Sequence, residues 1–195
     1  MSRIVKIAAI VALALVVTAL TGCGGADTEE NTASANKVLC EITVREYGTI
    51  SLELYPDVAP ITVKNFTELA ESGFYEGKIF HRIIDGFMIQ GGASTEEMAT
   101  IKGEFSSNGV ENNLSHLVGT ISMARRWGDP DSASTQFFIT VGDATWLDGD
   151  YAAFGRVTDG MDVALKIASD ANPIDDNGTI PESEAPVIES VVIIK

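Results

Sequence analysis

The stretch at residues 80–92, FHRIIDGFMIQGG, constrains this chain more than any other feature. Its β-branched and aromatic residues predict two short strands, and Asp85-Gly86 predicts the turn between them. Residues of the same parity face the same side of a strand, so Met88 and Gln90 are expected on one face. The stretch contains Arg82 but no acid-base pair and no nucleophile. We therefore expect a site that binds and polarises an amide rather than one that hydrolyses it.

Two later segments carry similar residue types. Residues 135–140 (TQFFIT) alternate as a strand, which places Gln136 and Phe138 on one face. Residues 146–149 (WLDG) follow as a turn that carries Trp146, a large aromatic residue with a ring N–H donor. With ISMA at 121–124 and FGRV at 154–157, these blocks in this order closely resemble the cyclophilin family of peptidyl-prolyl cis-trans isomerases. The resemblance extends from about Val38 to the C-terminus.

The resemblance implies a mainly β fold, a closed eight-stranded antiparallel barrel capped by two α-helices. Its ligand groove is expected on the outer wall, since side chains fill the interior of a small barrel. The sequence pattern by itself also predicts many short strands and two amphipathic helices, which favours a closed antiparallel barrel. We predict helices at 60–72 and 160–168 and, besides the two strands within 80–92, strands at 37–45, 49–55, 118–124, 136–141, 154–158 and 187–194.

Rotation about an Xaa–Pro bond faces a barrier of about 20 kcal/mol because resonance stiffens the C–N bond. A catalyst has to hold the proline ring and donate a hydrogen bond to the amide nitrogen of the twisted state. The resemblance assigns this donor to Arg82 and the substrate-positioning amides to Gln90 and Gln136. It assigns the proline pocket to Phe87, Met88, Phe138 and Leu147. Further substrate-binding positions are Ala124, Arg125, Trp146 and Tyr151, and neither a cofactor nor a metal is implied.

Two of these positions depart from the pattern of the best-known eukaryotic members. Arg125, followed by Arg126, stands where that pattern has an asparagine, and the extra cations favour acidic residues near the substrate proline. The family uses mainly backbone groups there to add the substrate as a strand, so Ala124 and Arg125 are expected to keep that role. Tyr151 replaces a histidine at the rim, which keeps an aromatic edge and a donor but removes titration near neutral pH.

Signals for a metal are weak. His81 and His116 lie far apart in the chain without a cluster of further ligands, so a zinc site is not expected. The segment that follows Pro173 matches four places of a calcium loop, but the proline occupies the first ligand position. We therefore interpret this segment as a solvated acidic turn; its four matching residues are Asp175, Asn177, Gly178 and Glu184.

Residues 1–22 have the pattern of a signal peptide. Arg3 and Lys6 form a short basic region, and residues 7–20 form an apolar region too short to span a membrane comfortably. The sequence LTGC at 20–23 then resembles the bacterial lipobox, in which cleavage leaves Cys23 as the lipid-modified N-terminus. The alternative is an ordinary secretory signal with an incidental thiol at Cys23. Residues 23–36 would then be the lipidated cysteine and a flexible, small and polar tether of roughly 20 Å, and residues 37–195 one isomerase domain.

The chain is strongly acidic, with 28 acidic and 13 basic side chains and a net charge of −15. Removal of the leader deletes two basic residues and no acid, so the net charge becomes about −17. Such a surface disfavours nucleic acid and is repelled by anionic lipids, so lipid on Cys23 alone would hold the domain at a membrane. We expect an extracytoplasmic monomer. Cys40 lies in an alternating segment and predicts a buried strand thiol without a disulfide partner.

The sequence therefore predicts a membrane-tethered peptidyl-prolyl isomerase that assists the folding of exported proteins, with proline-containing polypeptides as partners. The alternative is a lipoprotein module that binds proline-containing segments without turnover. Both use the groove, but only the isomerase requires Arg82. In the resembling family, sensitivity to cyclosporin A depends on a groove tryptophan, which Trp146 matches. We therefore expect inhibition by cyclosporin A, weakened by Arg125 and Tyr151 at the rim.

Overall fold

The computed structural model describes residues 36–195. In this part of the chain, eight strands and two α-helices alternate with loops and two short 3-10 helices, Ser106–Asn108 and Thr145–Leu147. The strands and helices follow the order β1 (Val38–Val44), β2 (Gly48–Leu54), α1 (Pro60–Glu71), β3 (Phe80–Ile84), β4 (Met88–Gly91), β5 (Thr120–Met123), β6 (Phe137–Thr140), β7 (Ala153–Asp159), α2 (Met161–Asp170) and β8 (Ile188–Ile194). Every predicted helix and strand is present, with ends that shift by up to two residues.

All strand pairs are antiparallel and form one curled sheet in the order β3-β4-β6-β5-β7-β2-β1-β8. The expectation of a closed barrel was wrong, because the edge strands β3 and β8 do not form a ladder. The segments just before these two strands meet at an isolated bridge between Ile79 and Val187, beside hydrogen bonds from Phe80 N to Pro186 O at 2.9 Å and from Ile188 N to Lys78 O at 2.7 Å. The sheet is an open half-barrel.

The loop that follows α2 explains why the sheet stays open. Beyond Phe80 the register of β3 shifts, and its edge bonds to this loop instead of to β8. Ile83 N donates to Gly178 O at 2.8 Å, and Ile180 N donates to His81 O at 2.9 Å. Arg82 forms an isolated bridge with Thr179 between these two bonds. The edge that would close a barrel is therefore occupied by the loop, which also brings its backbone next to Arg82.

The concave side of the sheet is closed by α1 and an aromatic cluster. Pro60 begins the helix, where a missing N–H costs nothing, and the buried Glu104 accepts from Ile61 N at 3.0 Å and Thr62 N at 2.7 Å. A carboxylate at this end is stabilised by the helix dipole. Phe66 of the helix packs in an aromatic cluster with neighbouring ring centroids 5.2–6.0 Å apart; its other members are Tyr75, Phe80, Phe137 and Phe154. The interior is therefore filled, and ligands are left to the outer face.

Cys40 lies inside this core, as predicted. It is 1% exposed on β1, and burial raises the pKa of its thiol to about 12. A thiol with such a pKa stays protonated at neutral pH and is a poor nucleophile. Among residues 36–195, no helix is both long and apolar enough to cross a bilayer.

Candidate active site

The register of the sheet places four side chains in one row across its outer face. Arg82 on β3 pairs with Gln90 on β4, Gln90 with Phe138 on β6, and Phe138 with Ser122 on β5. Residues directly opposite each other in a ladder point to the same face, so these four side chains share one face of the sheet. Met88, two residues from Gln90, stands on the same face, as its parity predicted.

Nine of the eleven predicted groove residues line one cavity of about 220 Å³ over this row. The floor is apolar: Met88 is 1% exposed and Phe138 is 4% exposed. A cavity of this size with an apolar floor suits a pyrrolidine ring, which has no polar group to satisfy. The nine residues of this first cavity are Arg82, Phe87, Met88, Gln90, Ala124, Arg125, Phe138, Leu147 and Tyr151.

The guanidinium of Arg82 is fixed on one side and free on the other. Its Nε donates to Asn177 O at 2.8 Å, and its Nη1 reaches Gln90 Oε1 at 3.3 Å and Met88 Sδ at 3.6 Å. Within the part of the chain that the structure describes, Nη2 has no hydrogen-bond partner, and the Arg82 side chain lines the cavity. Partial burial lowers the pKa of Arg82, opposed by Tyr151 and Asp175. The group remains charged at neutral pH because an arginine pKa starts far above 7.

Gln136 and Trp146 lie beside the first cavity rather than in it. Gln90 Nε2 donates to Gln136 Oε1 at 2.9 Å, which extends the hydrogen-bond chain from Arg82 along the groove. Gln136 lines a second cavity, of about 270 Å³, together with Gln90, Ala124, Arg125, Arg126, Ser132 and Ser134. Trp146 is 65% exposed at the rim, with its ring 5.4 Å from that of Phe87. The two cavities share three residues and are therefore parts of one groove.

The two departures from the eukaryotic pattern contact each other. The Arg125 guanidinium lies over the Tyr151 ring at 4.7 Å and over the Phe105 ring at 5.3 Å. Its Nε also donates to Asp150 O at 2.8 Å. A cation over two aromatic faces is held by their quadrupoles, so the Arg125 side chain is a fixed part of the rim. Sequence reasoning treated these positions separately and missed their contact.

His116 is the residue that sequence reasoning most undervalued. The sequence analysis considered it only as a possible zinc ligand and did not expect a zinc site. The structure buries its side chain behind Phe138, with the two rings 6.0 Å apart and nearly parallel at 15°. Its Nδ1 lies 2.7 Å from Asp148 Oδ1, and its Nε2 lies 3.0 Å from Ser122 Oγ. Burial lowers the pKa of His116, so the neutral ring donates from Nδ1 and accepts the Ser122 hydroxyl at Nε2.

The backbone of His116 holds both ends of the short helix Thr145–Leu147. His116 N donates to Asp148 Oδ1 at 2.8 Å, and His116 O accepts from Ala144 N at 2.9 Å. Desolvation opposes the ionisation of Asp148, but hydrogen bonds from Ser115 and His116 outweigh it and lower the pKa of this carboxyl group. The only sequence feature that could have indicated this role of His116 is the aspartate of the WLDG turn, because a carboxylate beside apolar residues needs a hydrogen-bond partner.

Ser122, His116 and Asp148 are connected like a hydrolytic triad, but they cannot act as one. Ser122 is 0% exposed in the middle of β5, so no substrate carbonyl can reach its hydroxyl. The cluster is a support for the groove. Within residues 36–195 no group of three or more His, Cys, Asp or Glu side chains is arranged to hold a metal ion. Asp175, in the segment that partly matches a calcium loop, accepts from Thr179 N at 2.9 Å in a tight turn.

A family model described as cyclophilin type peptidyl-prolyl cis-trans isomerase/CLD matches residues 39–194. The chain belongs to the cyclophilin family. Peptidyl-prolyl cis-trans isomerase A of Dickeya dadantii is 44% identical over 155 residues, which are 76% of this chain and 80% of the relative. A peptidyl-prolyl cis-trans isomerase of Acinetobacter baylyi is 47% identical over 133 residues, 63% of this chain and 68% of the relative. The chain is therefore a peptidyl-prolyl cis-trans isomerase.

Solved cyclophilin structures agree with the fold. A cyclophilin type peptidyl-prolyl cis-trans isomerase of Cryptosporidium parvum superposes with a TM-score of 0.71 at 28% identity, over 82% of this chain and 99% of that one. A second structure of that protein, determined in the presence of the dipeptide ala-pro, gives a TM-score of 0.69 at 28% identity, over 80% of this chain and 99% of that one.

Proposed function

We propose that this cyclophilin is a lipid-tethered isomerase of exported proteins, in which Arg82 stabilises the twisted Xaa–Pro bond. The observation that carries the catalytic part is the unpartnered Nη2 of Arg82, whose side chain lines a cavity with an apolar floor of Met88 and Phe138. The proline ring enters the first cavity over Met88 and Phe138, with Phe87 and Leu147 at its sides. The Gln90 and Gln136 amides hold the peptide groups next to the ring.

Rotation itself needs no covalent step. As the C–N bond twists, resonance is lost and the amide nitrogen regains a lone pair. A hydrogen bond from Arg82 to that nitrogen forms only in the twisted state, so it lowers the barrier without stabilising the ground state. The bonds from Arg82 to Asn177 and Gln90 hold the donor in place before the substrate arrives, so little reorganisation is required.

The rim residues hold the rest of the peptide. Ala124 N already donates to Gln136 O at 3.0 Å, so an added substrate strand would use the Ala124 carbonyl group and the Arg125 backbone. Trp146 and Tyr151 supply aromatic surface at the two sides of the cavity. The same surface would bind cyclosporin A, with the Trp146 ring N–H as donor. We propose that the protein works as a monomer, since one chain supplies the whole groove.

The tether is proposed from the sequence alone. The basic residues Arg3 and Lys6, the apolar residues 7–20 and the motif ending in Cys23 lie outside the described residues, as does the tether up to residue 35. Together they support cleavage after Gly22, lipid on Cys23 and anchoring on the outer side of a bacterial membrane. The strongly acidic composition supports the lipid as the only membrane contact, because anionic headgroups repel such a domain.

Detergent phase partitioning of the full chain expressed in bacteria tests the tether. Wild type should enter the detergent phase, and Cys23→Ser should remain in the aqueous phase with unchanged isomerase activity, because the acceptor thiol is lost and the groove is untouched. Cys40→Ser is the matched control and should partition like wild type. Equal partitioning of wild type and Cys23→Ser would refute the lipoprotein assignment while leaving the isomerase intact.

A further inference from the structure

The groove is a positively charged region of an acidic protein. The chain has 28 acidic side chains against 13 basic ones. Three of those basic side chains, Arg82, Arg125 and Arg126, line the two cavities of the groove, and no aspartate or glutamate of the described residues lines either cavity. Acidic side chains outnumber basic ones in the chain as a whole, whereas all charged residues that line the groove are basic. Charges of one sign in a cleft with low-dielectric walls concentrate the electric field there, which favours ligands of the opposite charge.

The second cavity is polar and continuous with the first. Its volume of about 270 Å³ exceeds the 220 Å³ of the first cavity, and it shares Gln90, Ala124 and Arg125 with it. Successive residues of an extended peptide advance by about 3.3–3.6 Å. A side chain close in sequence to a proline bound in the first cavity can therefore enter the second one.

Two arginines present donors to that side chain. Arg125 is fixed through Nε to Asp150 O and through Nη1 to Arg126 O at 3.1 Å, while in the described part of the chain its Nη2 has no partner. Arg126 is more exposed, at 72% of its side chain, and its Nη2 contacts Asp129 Oδ2 at 3.0 Å. Ser132 Oγ accepts from Arg126 N at 2.8 Å and donates to Asp129 O at 2.6 Å, which fixes the turn that carries both partners.

We propose that the second cavity selects substrates with an acidic side chain near the proline, and that Arg126 is the residue that determines this selection. The proposal rests on the proposed use of the first cavity by proline. A carboxylate bound by Arg126 and Arg125 would gain charge-assisted hydrogen bonds in a partly enclosed site. The net charge of about −17 of the mature chain at the same time repels strongly acidic polypeptides. The preferred client segment therefore has one acidic residue beside its proline in a sequence that is otherwise neutral or basic.

The test measures cis/trans exchange of peptides by the full mature chain. The peptides contain an Ala-Pro pair flanked by neutral residues. Glutamate, glutamine or lysine is placed, one at a time, at each of four positions: the two that precede the pair and the two that follow it. Glutamine has nearly the shape of glutamate, so the ratio of the two kcat/KM values isolates the charge. We expect a ratio of about 3–10 in favour of glutamate at one position, as for partly exposed charge pairs, with lysine below glutamine. The ratio should fall as salt is added.

Three variants identify the residue responsible. Arg126→Gln should bring the ratio close to one, and Arg126→Glu should invert the order so that the lysine peptide is best. Asp129→Asn should raise the ratio above that of wild type, because it releases Arg126 from its ion pair. The matched control is Arg45→Glu, which changes the net charge as much as Arg126→Glu but lies outside both cavities, and which should leave the ratio unchanged.

Two results would overturn the proposal. One is a glutamate-to-glutamine ratio within twofold of one at all four positions in wild type, and the other is a preference for glutamate that survives Arg126→Glu. In both cases turnover of the glutamine peptides shows that the isomerase itself is intact. Absence of turnover with every peptide would instead contradict the proposed function on which this inference rests.

Discussion

The two walls of the groove are built in different ways. The donor wall consists of β3 and β4 with Arg82, Met88 and Gln90, which are held by strand pairing and by hydrogen bonds among their own side chains. The aromatic wall consists of residues 145–151 with Trp146, Leu147 and Tyr151, and it has no strand. Its short helix is held from behind by His116, through Asp148 and Ala144.

The difference separates two kinds of function within one site. The donor wall carries the charge that acts on the twisted bond, and its geometry follows from regular structure. The aromatic wall provides shape and apolar surface, and its geometry follows from His116. The backbone of this residue bonds Asp148 and Ala144, and its buried imidazole contacts β5 at Ser122, β6 at Phe138 and the turn at Asp148. Substitutions in the donor wall should therefore lower kcat, the rate at which bound substrate isomerises. Substitutions in the aromatic wall should mainly weaken substrate binding and so raise KM.

The largest effect is expected from Arg82→Ala in the donor wall. Removal of one preorganised donor should lower kcat/KM by about 100- to 1,000-fold, mainly through kcat, with an unchanged melting temperature. Arg82→Lys is the companion variant. It keeps the charge but loses the fork that bonds Asn177 and the substrate together, so its activity should lie between those of wild type and Arg82→Ala. Exchange measurements that put Arg82→Ala within threefold of wild type would rule out this mechanism.

An intermediate effect is expected from His116→Phe in the support of the aromatic wall. The phenyl ring can still pack against Phe138, but Asp148 loses its imidazole donor and keeps only the bonds from Ser115 and the His116 backbone. The buried Ser122 hydroxyl group loses its imidazole acceptor, and an unpaired buried polar group is costly. KM should rise by about five- to tenfold while kcat changes less, because proline binding depends on the position of Leu147 and Trp146.

Ser122→Ala serves as the control for this second prediction. It removes one hydrogen bond of His116 but leaves the bonds that hold Asp148 and Ala144, so its KM should stay close to that of wild type. If His116→Phe lowered the melting temperature and left KM unchanged, His116 would stabilise the fold without positioning the groove.

A smaller effect on turnover, but a clear one on inhibition, is expected from Trp146→Phe. The ring is largely exposed at the rim, so turnover should fall by less than about threefold, as for surface contacts. Loss of the ring N–H should weaken inhibition by cyclosporin A by roughly ten- to thirtyfold, the equivalent of about 1–2 kcal/mol. Titration of both proteins in the exchange assay measures the change. An inhibition constant that does not respond to the substitution would show that another residue binds the inhibitor.

The smallest effect concerns pH. Burial lowers the pKa of His116 below its ordinary value of 6.5, so the unfolded chain binds the extra proton more readily. The stability that the neutral ring contributes is fully present above pH 6.5 and is lost as the pH falls through the lowered pKa. His81, whose pKa is also lowered by burial, acts in the same direction. The melting temperature should therefore decrease as the pH is lowered from 6.5. His116→Phe should make this pH dependence weaker, and an equal pH dependence in both proteins would contradict the assignment to His116.

Much of the donor wall could be predicted from the sequence. Parity within one strand places Met88 and Gln90 together, and the Asp85-Gly86 turn joins β3 to β4, because these relations depend on neighbours in the chain. The predicted helix beginning at Pro60 and the buried Cys40 are correct for the same reason. The resemblance in the separate blocks also identified nine residues that the structure brings to one cavity.

The tertiary structure decided the relations between distant segments. The turn at Asp85-Gly86 sets the register between β3 and β4, but no local pattern fixes the register between β4, β6 and β5, which aligns Gln90, Phe138 and Ser122 in one row. The barrel remains open because the loop near Gly178 bonds to β3, and the same loop supplies the carbonyl group that holds Arg82. His116 became a support because folding brings Asp148 to it from 32 residues away. The sequence by itself determined which side chains perform the chemistry; long-range pairing and burial determined where they stand and what holds them there.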